Sequence, residues 1–331
     1  MSMVNIFTSF LPHLLYSQFF VTPQYPTTDC TGKTIIVTGA NVGLGMEAAR
    51  HYARLNVEKL IIACRSTEKG EAAKRDIEAS TKRSGVVEVW QLDLQSYDSV
   101  KAFAKRAESL KRLDAIVENA GISTREYQSV AGNESTVTTN VVSTFLLALL
   151  MLPKLRESGR NFNITPTLTI VASEVHFLTA FPERKASSIF GALNSPKEAR
   201  MGDRYFVSKL LEVLVCREIA REHPVEKTKV TINFVNPGWC HSQLMREMDT
   251  APIRVLQKIF CRTTEVGSRT LVHAGLASPE THGKYLSDCK TMPCAPLVEG
   301  KGGLETQKRV WQELSEILNG IEPGVTKVLD A

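Results

Sequence analysis

The feature that most constrains the fold of this chain is a regular alternation of short apolar runs with longer segments of helical periodicity. The first run, Thr34–Thr38, is rich in β-branched residues and is followed at once by glycines, which predicts a buried strand and a turn. Strands that alternate with helices pair in parallel, so the sequence predicts one α/β domain, a doubly wound Rossmann-type parallel sheet with helices on both faces. The predicted strands are 34–38, 60–63, 86–92, 115–117, 168–171 and 230–235, and the predicted helices are 44–55, 68–79, 100–110, 137–152, 205–219 and 304–318.

The turn after the first strand has the spacing of a phosphate-binding loop. Gly39 suits a tight turn, Gly43 allows the backbone to approach a pyrophosphate closely, and Gly45 allows the helix to pack against the strand. The amino terminus of the following helix would direct N–H groups and its dipole at the phosphates. The turn therefore predicts a dinucleotide site formed by Gly39, Asn41, Val42, Gly43, Leu44 and Gly45.

The end of the second strand favours NADP over NAD. An acidic residue there would bind the ribose 2′-hydroxyl, but this chain has Cys64 and then Arg65. A guanidinium offers a fixed fork of donors that suits a 2′-phosphate. The alternative is a solvated surface arginine.

Tyr205 and Lys209 predict the reacting end of the site. They are four residues apart and therefore lie on the same face of a helix. The pKa of an unperturbed tyrosine is about 10, so acid–base work at neutral pH needs a nearby cation that favours the phenolate. Lys209, together with an oxidised nicotinamide ring, would supply that field.

With these motifs the chain resembles a short-chain dehydrogenase/reductase from Thr31 to the closing helix. One departure is Glu118, which stands where the family usually has an asparagine. Further matches follow the third to sixth strands: Asp93-Leu94, Asn119-Ala120-Gly121, Asn140 in Thr139-Asn140-Val141, Ser173 in Val171-Ala172-Ser173, Pro237-Gly238, and Ser242 in place of the family threonine.

The resemblance implies a role for each matched residue. Tyr205 would be the acid/base, Ser173 would donate a hydrogen bond to the substrate oxygen, and Asn140 would support a water-linked proton relay. Lys209 would hold the nicotinamide ribose and lower the pKa of Tyr205. The reaction implied is hydride transfer between nicotinamide and a carbonyl or alcohol, which needs a proton donor on the oxygen side. The implied cofactor-binding residues, beyond the glycine turn and Arg65, are Asp93, Leu94, Asn119, Tyr205, Lys209, Pro237, Gly238 and Ser242.

An insertion at about 174–204 separates Ser173 from Tyr205 and predicts part of a substrate lid, with a surface excursion as the alternative. The insertion resembles the retinol dehydrogenase and WW-domain oxidoreductase-like branch, and the chain is similar to fungal reductases, many of which act in secondary-metabolite pathways. A hydrophobic small-molecule substrate is implied, either a polyketide- or terpenoid-like intermediate or a retinoid- or steroid-like alcohol or ketone. His176 and His241 are weighed as substrate contacts, but a loop or core role is the favoured interpretation of each. Residues that could line a hydrophobic substrate pocket, with ordinary packing as an equal alternative, are Met245, Met248, Ile253 and Leu256.

Residues 1–29 predict an apolar arm ahead of a domain at 30–331. No Asp, Glu, Lys or Arg occurs in residues 1–28, and apolar residues recur there near helical spacing. Polar residues and Pro12 interrupt them, so the run is shorter than a membrane span needs. An arm packed on the domain is the favoured interpretation, and a shallow membrane anchor is the alternative.

Composition limits the partners. The net charge is +5, with basic and acidic residues interspersed, which does not favour nucleic-acid binding. Seven cysteines without a C-x-x-C pair favour free thiols in a reducing compartment and no metal site. We therefore expect a cytoplasmic location, with the surface of an intracellular membrane as the alternative, and a homo-oligomer is compatible with the sequence. A non-catalytic dinucleotide-binding regulatory or scaffold protein is the other functional hypothesis.

Overall fold

One sheet of eight strands runs through the molecule. The computed structural model describes residues 11–241 and 260–330. The strands are β1 Thr34–Thr38, β2 Lys59–Cys64, β3 Val87–Gln91, β4 Ala115–Glu118, β7 Thr167–Val171, β8 Thr231–Asn236, β9 Tyr285–Ser287 and β10 Lys290–Met292, with a separate hairpin of β5 Ser129–Val130 and β6 Asn133–Glu134. Their spatial order in the sheet is β3-β2-β1-β4-β7-β8-β9-β10. Every neighbouring pair is parallel except β9 and β10, which are antiparallel.

The predicted doubly wound fold is confirmed, and the six predicted parallel strands are all present. The central strands β1, β4, β7 and β8 are buried along their whole length because helices cover both faces of the sheet. Val37 of β1, for example, aligns with Ile62 on one side and Val117 on the other. The helices are α1 Leu11–Phe20, α2 Gly43–Arg54, α3 Thr67–Thr81, α4 Tyr97–Ala107, α5 Ser135–Phe162, α6 Ile189–Leu193, α7 Met201–Glu222, α8 Val225–Thr228, α9 Thr264–Gly275, α10 Pro296–Glu299 and α11 Gly303–Ile321.

Two hydrophobic layers hold the helices against the sheet. One layer joins the sheet to α4, α5, α7 and α11. The other joins it to α2, α3 and α9. Within the described residues α5 alone is long and apolar enough to cross a membrane, and 94% of its apolar window is buried in the first layer, as in the core helix of a soluble protein.

The edge hairpin of β9 and β10 was not predicted. Ser287 pairs with Lys290, so the loop between the strands contains only Asp288 and Cys289. Both loop residues have positive φ, 52° and 59°, as in the type I′ turns that match the twist of a hairpin. The sequence lacks the Asn-Gly or Asp-Gly pair that marks such turns.

The insertion is folded against the domain. It contains short 3₁₀ helices at Glu174–Phe177 and Pro182–Lys185, followed by α6. Phe181, Phe190 and Leu193 are buried in the first hydrophobic layer, so these three side chains serve packing. The Glu313 carboxylate on α11 accepts hydrogen bonds from the backbone N–H groups of Ile189 and Phe190, at 2.9 and 3.0 Å.

Helix α1 docks on the loop that follows β8. Leu14 and Ser17 are buried against the domain. The Gln18 side chain exchanges two hydrogen bonds with the backbone of Trp239, at 2.8 and 3.3 Å. Arg262 donates to the Ser17 carbonyl at 2.5 Å and pairs with Asp288 at 2.7 Å. The outer face of α1 exposes Leu15, Tyr16, Phe19 and Phe20.

Candidate active site

The glycine turn joins β1 to α2 at the carboxyl edge of the sheet. Gly39 and Gly43 have φ of +66° and +62°, the left-handed region that glycine enters without strain. A Cβ on Gly39 would lie 2.9 Å from the Cα of Ala120, so this glycine also permits a close crossing. A Cβ on Gly43 would meet nothing within 4 Å, which leaves an open approach to the backbone.

Asn119 holds the glycine turn in place. Its Nδ2 donates to the Thr38 carbonyl at 2.9 Å. The Thr38 hydroxyl in turn accepts from the N–H groups of Asn119 and Ala120, both at 3.0 Å. The Asn119 side chain therefore supports the predicted nucleotide loop from behind.

The turn fits a dinucleotide pyrophosphate. Val42, the residue before α2, makes no side-chain cap, so nothing from that residue covers the first N–H groups of the helix. The open approach at Gly43 faces the same end of α2. Because free N–H groups at a helix amino terminus favour an anion, these residues would hold the phosphates, and the nicotinamide of such a cofactor supplies or accepts a hydride when bound.

The other predicted cofactor residues surround this edge. Arg65 follows β2 and is exposed, and it forms no hydrogen bond or ion pair with any described residue. Asp93 and Leu94 follow β3, where Asp93 Oδ1 accepts from Gln95 N–H at 2.9 Å and Leu94 is buried. Pro237 and Gly238 follow β8, and Gly238 has φ of +78°. Ser242, Met245, Met248, Ile253 and Leu256 lie outside the described residues.

Ser173 and Tyr205 meet at the same edge. Ser173 follows β7 and begins a 3₁₀ helix, and its Oγ accepts from the N–H of Val175 at 3.3 Å. The same side chain interacts with the Tyr205 side chain near the start of α7 and acts to lower the pKa of its phenol. The two side chains on which the predicted proton transfer depends are therefore in contact.

Lys209 lies one helical turn below Tyr205. Its Nζ is 5.8 Å from the centre of the Tyr205 ring. The ammonium donates to the Val171 carbonyl at 2.8 Å and to Glu212 Oε1 at 2.9 Å. Glu212 was missed in the sequence, where the only signal is one acidic residue in the apolar run Leu210-Leu211-Glu212-Val213-Leu214.

The pKa of Tyr205 is raised in this structure. Burial is the main cause, the charge of Glu212 adds to it, and the hydrogen bond from Ser173 opposes it. The resemblance implied a lowered pKa through Lys209, but Glu212 offsets the charge of that ammonium. Tyr205 is therefore a protonated phenol at neutral pH, the form that donates a proton.

Asn140 lies in a π-helical turn of α5, over Thr138–Val142. It is fully buried, and its amide both accepts from and donates to the backbone of Ile122 at 2.9 Å. It also donates to Ser208 Oγ at 3.0 Å, next to Lys209 on α7. Such π-turns occur frequently at functional sites, and this one joins the loop after β4 to the helix that carries Tyr205 and Lys209.

His176 and His241, the two histidines weighed as substrate contacts, have different settings. His176 is buried, with Nδ1 2.6 Å from the Ser173 carbonyl and Nε2 accepting from the N–H of Ala295 at 3.1 Å. It supports the Ser173 loop rather than lining an open surface. His241 is partly exposed, and its backbone N–H donates to the Arg262 carbonyl at 3.0 Å.

The fold and site together define a dinucleotide-dependent oxidoreductase of the doubly wound α/β type. The short chain dehydrogenase family model matches residues 33–177, from β1 through the Ser173 loop. The chain is 50% identical over 318 residues to "Short chain dehydrogenase/reductase dmxR8" of Cryptosporiopsis sp. (strain 8999), which covers 94% of this chain and 98% of that relative. It is 43% identical over 324 residues to "Short-chain dehydrogenase anuD" of Penicillium roqueforti (strain FM164), covering 95% and 85%. The chain belongs to the short-chain dehydrogenase/reductase family.

A solved structure supports the fold independently. The structure described as "Pseudomonas aeruginosa RhlG/NADP active-site complex" superposes with a TM-score of 0.61 at 22% identity, covering 80% of this chain and 97% of that one. At this identity the likeness shows the fold alone. The family binds a nicotinamide dinucleotide, and in this chain the glycine turn, Ser173, Tyr205 and Lys209 come together at one edge of the sheet.

Proposed function

We propose that the protein is an NADP-dependent oxidoreductase that transfers a hydride between nicotinamide and a carbonyl or alcohol of a hydrophobic small molecule. The observation that carries this proposal is the contact of Ser173 with Tyr205, one helical turn from Lys209. In the reductive direction the carbonyl carbon receives the hydride and its oxygen receives the Tyr205 proton. The phenolate left behind is stabilised by Lys209 and regains a proton from solvent.

The class of substrate is proposed on the similarity to fungal relatives. The matched relatives come from filamentous fungi, and the chain covers nearly their whole length. We therefore propose a secondary-metabolite intermediate with a ketone, an aldehyde or the corresponding alcohol. Ser173 and Tyr205 would both donate to the oxygen of such a group.

The experiment that tests the reaction compares the wild type with Tyr205→Phe. Purified protein is assayed with NADPH and a panel of hydrophobic ketones and aldehydes. Removing the proton donor should lower kcat by about 10²- to 10⁴-fold, the usual range for a positioned general acid. Tyr16→Phe removes an exposed hydroxyl on α1 and is the matched control. Undiminished turnover in Tyr205→Phe contradicts the assigned role, and NADPH binding without turnover across the panel supports the scaffold hypothesis.

Arg65 supports the choice of NADP. Its side chain is exposed where β2 ends, and no described residue engages its guanidinium. A 2′-phosphate at this position would form a charge-assisted hydrogen bond with it.

We expect Arg65→Ala to weaken NADPH binding far more than NADH binding. Loss of one charge-assisted contact costs about 1.5–3 kcal/mol, which corresponds to roughly 10- to 150-fold in Kd. Fluorescence titration of each reduced cofactor measures the two constants. Arg75→Ala, an exposed arginine on α3, is the control and should leave both constants unchanged. Equal losses for NADPH and NADH in Arg65→Ala would remove Arg65 as the selecting residue.

A further inference from the structure

Two buried carboxyl groups lie behind the Lys209 ammonium. Glu118 ends β4 and is 4% exposed, and Glu212 follows Lys209 on α7 and is 2% exposed. Neither oxygen of Glu118 has a hydrogen-bond partner among the described residues, and the same is true of Glu212 Oε2. A buried carboxylate without partners is costly, so the two groups cannot both be ionised beside a single ammonium.

The contacts indicate which carboxyl carries the charge. Glu212 Oε1 accepts from Lys209 Nζ at 2.9 Å, whereas Glu118 faces no cation among the described residues. Burial and the charge of Glu212 raise the pKa of Glu118 well above its usual range, so Glu118 holds a proton at neutral pH. Burial raises the pKa of Glu212 to about 7, and Lys209 opposes that rise.

The remaining groups that face this pair are neutral. The pKa of the Cys216 thiol, one turn further along α7, is raised by burial and by the charges of Glu212 and Glu118. The pKa of the Tyr205 phenol is raised by burial and by Glu212. Proton exchange near neutral pH in this cluster therefore falls on Glu212.

We infer that Glu212 is a positioning residue for the Lys209–Tyr205 pair, and that Glu118 behind it confines the negative charge to the oxygen that faces Lys209. When Glu212 is ionised, it offsets the ammonium, and Tyr205 holds its proton tightly. When Glu212 is protonated, the full charge of Lys209 acts on Tyr205 and stabilises the phenolate that remains after proton donation. This inference rests on the proposed function, since it concerns the same proton transfer.

The test is the pH dependence of NADPH-driven carbonyl reduction. We expect kcat of the wild type to fall about tenfold as the pH rises through 7, because a compensated ammonium weakens the acid by about one pKa unit or more. Glu212→Gln keeps a hydrogen-bond acceptor for Lys209 but stays neutral, so its kcat should stay level between pH 6 and 8.5 with little change in the KM of the carbonyl substrate. Glu212→Asp retains an ionisable group and should restore the fall.

Glu218→Gln is the matched control. Glu218 is a buried glutamate on the same helix, but its partners are Arg221 and Gln307, away from Lys209. Its pH profile should follow the wild type, although its stability falls. A wild-type pH profile in Glu212→Gln would overturn the inference.

A second readout does not depend on turnover. In protein labelled with ¹³C at the glutamate side-chain carboxyl, the resonance that disappears in Glu212→Gln should titrate near pH 7. The resonance that disappears in Glu118→Gln should keep the chemical shift of a protonated carboxyl through neutral pH. If Glu212 titrates in the ordinary range of a glutamate, the inference fails whether or not the protein reduces carbonyls. If both resonances behave as expected and no carbonyl is reduced, only the proposed function fails.

Discussion

At the scale of single residues, Gly45 shows how a missing side chain shapes the nucleotide loop. A Cβ at this position would lie 2.7 Å from the Gly39 carbonyl oxygen and 2.5 Å from Asn119 Nδ2. Neither neighbour can move freely, because the Gly39 carbonyl belongs to the turn and Asn119 is bonded to Thr38. Close packing of α2 on β1 therefore requires glycine here, as its sequence position predicted.

We expect Gly45→Ala to lower the free energy of unfolding by about 1–3 kcal/mol, the usual cost of forcing a methyl group into packed surroundings. Dinucleotide binding should weaken as well, because the turn has to shift. Gly320→Ala on α11 is the control: a Cβ there meets nothing within 4 Å, so the helix should gain about 0.5–1 kcal/mol. Urea unfolding followed by tryptophan fluorescence measures the free energy of unfolding of both variants. If Gly45→Ala is as stable as the wild type, a Cβ at position 45 is not crowded by its neighbours.

At the scale of elements, α1 is held mainly by one buried guanidinium. Arg262 is 7% exposed and bonds the Ser17 and Val21 carbonyls as well as Asp288. These contacts satisfy carbonyls at the end of α1, where a helix leaves them without intrahelical partners. The arm is thus attached by polar contacts in addition to the buried Leu14, although its sequence is apolar.

We expect Arg262→Ala to release α1 without unfolding the sheet. Removing one partner of a buried ion pair costs about 3–5 kcal/mol, which exceeds what a ten-residue helix gains alone. Hydrogen exchange followed by mass spectrometry should show faster exchange of the amides of α1 and unchanged exchange in β1. Arg269→Ala, which loses a bond to the Pro23 carbonyl beyond α1, should leave the α1 amides protected. Equal protection of α1 in wild type and Arg262→Ala would show that apolar packing is sufficient.

At the scale of the whole molecule, buried ionisable groups make the free energy of unfolding depend on pH in two opposite directions. Burial lowers the pKa of His176 to about 4, so below its ordinary pKa the unfolded chain binds more protons than the folded one. This contribution is complete near neutral pH and is lost as the pH falls towards 4. Burial raises the pKa of Glu174 and of Glu212 to about 7, so their contribution has the opposite sign and is lost as the pH rises through 7.

The difference between wild type and His176→Gln isolates the histidine contribution. Between pH 4 and pH 7 the wild type should gain about 3 kcal/mol relative to the variant, from roughly 1.4 kcal/mol per unit of pKa difference. Urea unfolding at several pH values measures this difference. The comparison concerns the slope with pH, so a uniform loss of stability from the missing hydrogen bonds does not disturb it. Parallel pH dependence in the two proteins would show that His176 is not buried as a neutral side chain.

The sequence predicted the parts of the fold in which local pattern and tertiary role agree. Strands β1, β4, β7 and β8 are rich in apolar and β-branched residues and fully buried because both faces of the sheet are covered, so their existence followed from the residues alone. The bounds of β1 match the prediction, and the ends of β4, β7 and β8 differ from it by at most one residue. The edge hairpin was missed because Asp288 and Cys289 adopt positive φ under tertiary contacts, such as the pairing of Asp288 with Arg262.

The candidate site also has parts that local sequence pattern predicts and parts that depend on tertiary contacts. The glycine turn and the Tyr205–Lys209 spacing are local patterns, and the structure brings Ser173 to Tyr205 from a distant strand end. Glu212, the partner of Lys209, was not predicted. A single glutamate within a helix gives no sign in the sequence that it pairs with a lysine of the site, or that β4 brings the second carboxyl, Glu118, close to it. The packing of the insertion could not be predicted in this way, because only the structure shows that its Phe181 and Phe190 lie in the core.

The attachment of α1 has a practical consequence for handling the protein. Gln18 is hydrogen-bonded to the backbone of Trp239, and Ser17 is hydrogen-bonded to Arg262. Helix α1 therefore contacts the chain just before and just after residues 242–259. A purification tag placed next to α1 would therefore disturb its contacts with residues more than two hundred positions away in sequence. Affinity handles for this enzyme belong at the carboxyl end, beyond Asp330.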